Sequence, residues 1–119
     1  MSDTLHRRLR TAQAVQVISP AGERLEAMLL DISRSGAFLE LAGPVEVGAA
    51  VQVRLPTSDA APLELKGTVV RKGKMDKPLR HPEVEHLIVS VAGVGVRFAP
   101  LAPEQLTQLS QFLSLLEER

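Results

Sequence analysis

The chain contains no cysteine, no tryptophan and no tyrosine, and it has only three phenylalanines among its 119 residues. The lack of cysteine excludes disulfide bonds and thiolate chemistry, and it favours a reducing compartment. The scarcity of aromatic side chains disfavours a nucleic-acid binder that stacks single-stranded bases on aromatic rings. The composition therefore predicts a cytoplasmic protein that does not bind nucleic acid in this way.

An excess of one charge and long apolar runs are also absent. The 14 basic and 14 acidic residues balance, so no global field attracts nucleic acid or an anionic membrane. No apolar run approaches the roughly 20 residues of a membrane helix, and the basic start is not followed by the apolar segment of a secretory leader. We therefore expect no nucleic-acid partner and no membrane association.

The usual sequence patterns of catalytic and metal sites are missing. The chain has no Gly-x-Ser-x-Gly elbow, no His-Glu-x-x-His pair and no glycine-rich phosphate loop. His81 and His86 are five residues apart, and on an extended segment this spacing places the two imidazoles on opposite faces. We therefore expect no enzyme, no catalytic residue, no metal and no cofactor.

Apolar residues alternate with polar ones in several short segments, which is the pattern of half-buried strands. Turn residues separate these segments, as in Ser-Pro-Ala-Gly at 19–22, and Gly67 interrupts one of them, which predicts a bulge there. Short strands at this spacing predict a small antiparallel barrel or sandwich. The predicted strands lie around residues 15–17, 25–30, 51–55, 63–69, 87–91 and 94–98.

The C-terminal residues follow a different period. Pro103 suits the first position of a helix, and the apolar residues from Leu106 to Leu116 recur at helical spacing. This pattern predicts one amphipathic helix at about 103–117 that covers the barrel. Residues 72–86 are polar and charged and contain two prolines, so we predict a long basic loop there. Its basic residues favour a solvated face or, alternatively, a docking patch for an acidic partner.

The segment Asp31-Ile-Ser33-Arg-Ser-Gly36 lies between two predicted strands. As a purely structural turn, it would use Asp31 and Ser33 to accept backbone N–H groups and Gly36 to adopt a positive φ. As a ligand site, it offers a carboxylate that accepts the N1 and N2 donors of guanine, a hydroxyl that adapts to base or phosphate, and a glycine that admits close approach. The residue types alone are compatible with both interpretations.

This segment resembles the Asp/Asn-x-Ser-x-x-Gly motif of PilZ domains. The similarity continues through residues 45–56, Gly67-Thr-Val-Val-Arg71 and Gly93-Val-Gly-Val-Arg-Phe98, and it covers residues from about 7 to 116. The resemblance implies a mainly β fold, namely a six-stranded antiparallel barrel with a C-terminal α-helix. It also implies a receptor for the bacterial second messenger cyclic di-GMP. We expect a flexible basic arm at 1–12 and the barrel domain at 13–119.

The second PilZ motif, Arg-x-x-x-Arg in the N-terminal arm, is incomplete in this chain. Arg7, Arg8 and Arg10 give spacings of one, two and three, and aligning Arg10 with the second arginine places His6 at the first. A histidine is mostly uncharged at neutral pH and cannot form the planar fork of a guanidinium. The resemblance implies that the ligand site consists of Arg7, Arg8, Arg10, Asp31, Ser33 and Gly36, with His6 and Arg34 as further candidates.

Two functions remain open at this stage. In the first, the domain is a receptor and adaptor in which cyclic di-GMP orders the arm and signals to a protein partner. In the second, it is a degenerate PilZ-like interaction module that binds no cyclic di-GMP and docks on a protein of motility, polarity or pilus regulation. In both cases we expect a monomer or a weak dimer.

Overall fold

The computed structural model describes residues 8–41, 45–57, 61–81 and 84–117, and for residues 78–81 and 84–86 only the backbone. The strands are β1 Leu9–Ile18, β2 Arg24–Ile32, β3 Gly36–Leu41, β4 Ala50–Leu55, β5 Leu63–His81 and β6 Val84–Phe98, and helix α1 is Pro103–Glu117. The strands pair antiparallel and close into a barrel in the order β1-β2-β3-β6-β5-β4. The predicted six-stranded barrel with a C-terminal helix is confirmed.

The barrel interior is filled by the inward members of the alternating pairs. On β1, Val15 and Val17 are buried while Gln16 between them is partly exposed, and β4 repeats the pattern with Val51 and Val53. Each large aliphatic side chain removed from water in this way contributes about 1.5–3 kcal/mol to folding. The core is therefore almost entirely aliphatic, as the low aromatic content requires.

Helix α1 is joined to the barrel at its start and along one face. The Gln105 side chain accepts the Ala102 N–H at 2.9 Å, as in a capping box, and donates through Nε2 to the Glu64 carbonyl of β5 at 3.1 Å. The helix packs against β1 and β5. No helix in the described part of the chain is long and apolar enough to cross a membrane. Four buried side chains join the barrel core: Leu109, Phe112, Leu113 and Leu116.

The prediction of a loop at 72–86 is wrong. β5 and β6 continue to pair through this segment, from Lys72 opposite Val94 to His81 opposite Val84. Among residues 72–77, whose side chains the structure describes, Lys72, Lys74 and Asp76 are exposed and the residues between them are half-buried. Because none of these side chains is fully buried, this stretch lacks the apolar alternation by which strands are identified in a sequence.

The start of the barrel also differs from the expectation. β1 begins at Leu9, so residues 9–12, which we assigned to the arm, belong to the first strand. Leu9 packs against the core although the residues that follow it are polar. Residues 1–7 lie outside the described part, and their role as a flexible arm stays a prediction.

Two bulges at the same level of the barrel reverse the alternation of β2 and β5. From Leu29 to Asp31, two steps along β2 correspond to a single step along β3, so β2 contains one extra residue. From Val69 to Arg71, β5 likewise contains one extra residue relative to β6. A single extra residue turns the following side chains to the other face of the sheet. Asp31 and Arg71 therefore face outward, although Leu29 and Val69, two residues earlier, lie in the core.

The bulge predicted at Gly67 is not found there. Gly67 pairs in regular register with Val51 of β4 and Phe98 of β6. A Cβ at this position would lie 2.6 Å from Val96 Cγ1 and 2.8 Å from the Arg97 carbonyl oxygen. Glycine is needed at position 67 because β6 approaches it closely, and the bulge occurs at Val70 instead.

Leu109→Ala tests whether α1 is part of the core. Leu109 is fully buried, so its truncation should lower the free energy of unfolding by about 2–5 kcal/mol. Leu106→Ala is the matched control on the same helix: Leu106 is 40% exposed, and its loss should cost less than about 1 kcal/mol. Chemical denaturation measures both values, and equal costs would contradict the packing described here.

Candidate functional site

Residues of five neighbouring strands form one row across the barrel, because each lies opposite the next in the strand register. In β3, Ala37 and Leu39 belong to the core, so Phe38 between them and the residues paired with it face outward. We call this set the outer row. From β1 to β5 its members are Arg10, Asp31, Phe38, Gly95 and Arg71.

The Asp31 carboxylate is the most highly connected group of the outer row. Arg8 donates to it from two nitrogens, Nε to Oδ2 at 3.1 Å and Nη2 to Oδ1 at 2.5 Å. The backbone N–H of Phe38 donates to Oδ1 at 3.1 Å. The Arg8 side chain is 44% exposed and that of Asp31 is 10% exposed. A two-pronged charge-assisted contact therefore joins the N-terminal segment to the motif, with the guanidinium on the solvent side.

The other motif side chains shape the turn between β2 and β3. The Ser33 hydroxyl accepts the Ser35 N–H at 3.2 Å and lies 3.0 Å from the Ser35 hydroxyl. The Ser33 N–H donates to the Gly36 carbonyl at 2.8 Å. Ser33 is fully buried, so in this arrangement its hydroxyl serves the turn itself.

The expectation that Gly36 adopts a positive φ is wrong. Among the described glycines only Gly22 and Gly48 have a positive φ. Gly36 is extended backbone at the start of β3, and a Cβ there would collide with the Val96 carbonyl oxygen of β6. Glycine is required because β6 passes too close for any side chain, and the space beside Gly36 is taken by protein backbone.

The remaining predicted arginines have separate surroundings. Arg10 donates through Nη2 to the backbone carbonyl of Asp76 at 2.7 Å, which links β1 to the β5–β6 hairpin. Arg34 lies half-buried in the turn after β2. Arg7 and His6 lie outside the described residues. Of the predicted site, the structure thus joins Arg8 to Asp31 directly and places Arg10 beside them in the outer row.

Sequence reasoning missed the contact between Arg71 and Phe38. Phe38 is fully buried although it faces outward, and the Arg71 guanidinium carbon lies 5.1 Å from its ring centroid. This contact needs glycine at three neighbouring positions, because a Cβ there would lie within 3.0 Å of Arg71 or Phe38. These positions are Gly73, Gly93 and Gly95. The two glycines of Gly93-Val-Gly95 were the available signal, because glycine inside a strand pattern indicates close approach.

Metal-ligating side chains do not gather in the described part of the chain. No group of three or more His, Asp or Glu side chains there could hold a metal ion. The pair His81 and His86 falls on residues whose side chains are not described.

A comparison with protein families decides the membership of this fold. The family model described as PilZ domain matches residues 5–115 of the chain. The chain belongs to the PilZ domain family. Its six-stranded barrel and C-terminal helix are thus the fold of a PilZ domain, and PilZ domains are binding domains.

Two solved PilZ domains share this fold. The PilZ domain with c-di-GMP of YcgR from Escherichia coli has a TM-score of 0.69 and 16% identity, over 95% of this chain and 90% of that one. The PilZ domain of CeSA from a cellulose-synthesizing bacterium has a TM-score of 0.63 and 16% identity, over 93% of this chain and 98% of that one. Among curated proteins, no sequence matches the chain. At 16% identity the likeness concerns the fold.

Gly36→Ala tests the close approach of β3 and β6. The new Cβ collides with backbone, so β6 must shift, and stability should fall by about 1–3 kcal/mol or more. Gly22→Asn is the control: Gly22 has φ +85 with no atom near its Cβ position, and Asn tolerates this region at a cost below about 1 kcal/mol. A Gly36→Ala domain as stable as the wild type would contradict the packing.

Proposed function

We propose that this PilZ domain is a cytoplasmic receptor for cyclic di-GMP that acts as an adaptor toward a protein partner. The observation that carries the proposal is the contact of Arg8 with Asp31, which brings a cation of the N-terminal segment onto the Asp-x-Ser-x-x-Gly motif. The solved YcgR domain with c-di-GMP supports the choice of ligand at the level of the family. Because a second messenger acts inside the cell, such a receptor works in the cytoplasm.

Asp31 suits one guanine edge of the ligand. Guanine presents adjacent donors at N1 and N2, and a carboxylate is the acceptor that matches them. Oδ1 already accepts the Phe38 N–H and one Arg8 nitrogen, whereas Oδ2 accepts only from Arg8 among the described residues. A guanine therefore reaches this carboxylate when Arg8 moves aside, while the Phe38 N–H keeps the carboxylate aimed at the outer face.

Arg8 is the group that can move, because its side chain is nearly half exposed. A guanidinium binds phosphate in the same forked geometry as carboxylate. In the proposed mechanism, Arg8 exchanges the Asp31 carboxylate for a phosphate of the ligand while the guanine takes its place. The ligand thereby favours one position of the N-terminal segment, which is a shift between two populations.

The partner surface follows from the neighbouring arginine. Arg10 lies on β1, two residues after Arg8, and is hydrogen-bonded to the hairpin at Asp76. Lys77 pairs with Glu40 at 2.9 Å and holds the same hairpin to β3. A rearrangement of the N-terminal segment therefore reaches the hairpin, and we propose that the partner contacts both. Ser33 and Gly36 act by shaping the turn, and Ser33 contacts the ligand only if its pair with Ser35 opens.

The alternative function is an interaction module that binds no cyclic di-GMP. The observation that favours it is that Asp31 and Ser33 are buried and already bonded within the protein. The histidine at position 6 of the arm motif favours it as well. In this case the Arg8–Asp31 contact only fastens the N-terminal segment, and the partner binds constitutively.

Calorimetric titration with cyclic di-GMP tests the receptor function. We expect saturable heat below about 100 µM for the wild type and a loss of tenfold or more for Asp31→Ala, because the motif admits Asp or Asn at this position and truncation removes both acceptor oxygens. Glu104→Ala, the same kind of truncation at an exposed helix position, should bind as the wild type does. Cyclic di-AMP serves as the ligand control, since adenine lacks the N1–H and N2 donors. Absence of heat for the wild type at this concentration removes the receptor function.

The substitution His6→Arg in the N-terminal arm distinguishes the receptor from the interaction module. The substitution restores the Arg-x-x-x-Arg spacing with Arg10. If the native domain is a receptor, we expect the variant to bind cyclic di-GMP more tightly by up to about a hundredfold, because one bidentate contact is added. If only the variant binds and the wild type does not, the native domain is the interaction module. His6→Gln is the control for loss of the imidazole.

A further inference from the structure

We propose that Arg71 on β5 is a second ligand-contacting guanidinium of this site and that one guanine base of cyclic di-GMP stacks on it. The proposal rests on the proposed function and adds a residue that neither sequence motif contains. In this arrangement Arg8 and Asp31 bind one side of the ligand, and Arg71 supplies the second guanidinium that the arm lacks at position 6.

The bulges of the barrel place Arg71 on the binding face. Without the extra residue at Val70, the alternation of β5 would turn Arg71 into the core, as Val69 is. In β2, the extra residue at Leu30 likewise turns Asp31 to the outer face. Bulges that aim one side chain are found next to binding sites. Two independent bulges thus direct a carboxylate and a guanidinium to the same outer row.

The glycine of the outer row lets the Arg71 side chain cross β6 to reach the Phe38 ring. A Cβ on Gly95 would lie 3.0 Å from Arg71 Cγ and 3.2 Å from its Nε, so the side chain runs directly over this residue. It ends above Phe38, whose backbone N–H is bonded to Asp31. The guanidinium therefore lies over the ring of the residue whose backbone holds the carboxylate, and its Nη1 lies beside Gly73 of β5.

The charge of Arg71 is not used by an ion pair in the part of the chain that the structure describes. Lys72 and Lys77 on the same strand are paired with Glu46 and Glu40. Arg71 instead lies over the Phe38 ring and remains exposed. A guanidinium supported from below by an aromatic ring and open above offers a flat cationic surface, and such surfaces stack on nucleobases.

The dimensions of the outer row suit a ligand with two bases. Asp31 and Arg71 are separated by three strand spacings, about 14 Å between backbones, and the Arg71 side chain covers part of that span. Phe38 and Gly95, which lie between the two residues in the row, are both buried. One base can therefore meet Asp31 by its edge while the other meets Arg71 by its face.

A structural role for Arg71 gives a different expectation. If Arg71 only covers Phe38, its methylene groups shield the ring from water and the guanidinium has no role. Long basic side chains often cover apolar surface in this way. An unbranched apolar side chain of similar length would then replace it fully. Methionine at position 71 keeps the cover and removes the guanidinium, so this substitution distinguishes a cover from a ligand contact.

The test is calorimetric titration of cyclic di-GMP into the wild type, Arg71→Met and Lys74→Met. Lys74 is an exposed basic residue three positions along β5 and serves as the matched control for loss of charge. We expect Arg71→Met to weaken binding about 10- to 100-fold, the range for loss of one stacked base. Lys74→Met should change it less than about twofold. The thermal midpoint of each variant shows whether the fold is kept.

Two further variants identify the kind of contact. Arg71→Lys keeps the charge but not the plane, so stacking predicts that it binds as weakly as Arg71→Met, whereas recovery of wild-type affinity would overturn stacking. Gly95→Ala keeps the guanidinium but pushes its side chain aside, and it should also weaken binding.

The outcomes separate this proposal from the proposed function. If the wild type binds and Arg71→Met binds equally well, the role of Arg71 is refuted and the receptor function stands. If the wild type gives no heat, both fail together.

Discussion

The contact between Arg8, Asp31 and the Phe38 N–H determines how this barrel can work. It joins the residue just before β1, a carboxylate on β2 and the backbone of β3 within one set of hydrogen bonds. The carboxylate is available on the outer face only because the bulge at Leu30 reverses the alternation of β2. Since Asp31 is nearly buried and Arg8 is not, a ligand that displaces Arg8 gains a preoriented acceptor. The proposed function depends on this asymmetry.

The barrel itself was predictable where strands have one buried face. Val15, Val17, Val51 and Val53 alternate with polar residues because one side of each strand packs in the core, and the helical spacing of Leu109 to Leu116 reflects burial on the same core. The extension of β5 over residues 72–77 was not predictable, because none of these side chains is fully buried and the alternation of buried and exposed residues marks a strand in a sequence. The hydrogen-bonded ladder nevertheless continues through this stretch.

The candidate site was predictable only in part. The residues 31–36 were recognised by type, but type did not reveal that Gly36 is required by the passing β6 backbone rather than by a positive φ. Three neighbouring arginines in the arm gave no indication of which one contacts Asp31, because that depends on the bulge between Arg10 and Gln13. Arg71 and Phe38 are far apart in sequence and meet only through the register of three strands, which no local pattern contains.

Nuclear magnetic resonance during titration with cyclic di-GMP tests the central claim most directly, by following the Arg8 Nε–H and the Phe38 backbone N–H. We expect both resonances to shift in step with saturation, because Arg8 leaves Asp31 and a guanine edge takes its place beside the hydrogen bond from the Phe38 N–H. The backbone amide resonance of Leu109 in helix α1 should not shift, and it serves as the internal reference. Saturable binding that leaves Arg8 and Phe38 unchanged while other resonances move would contradict the account.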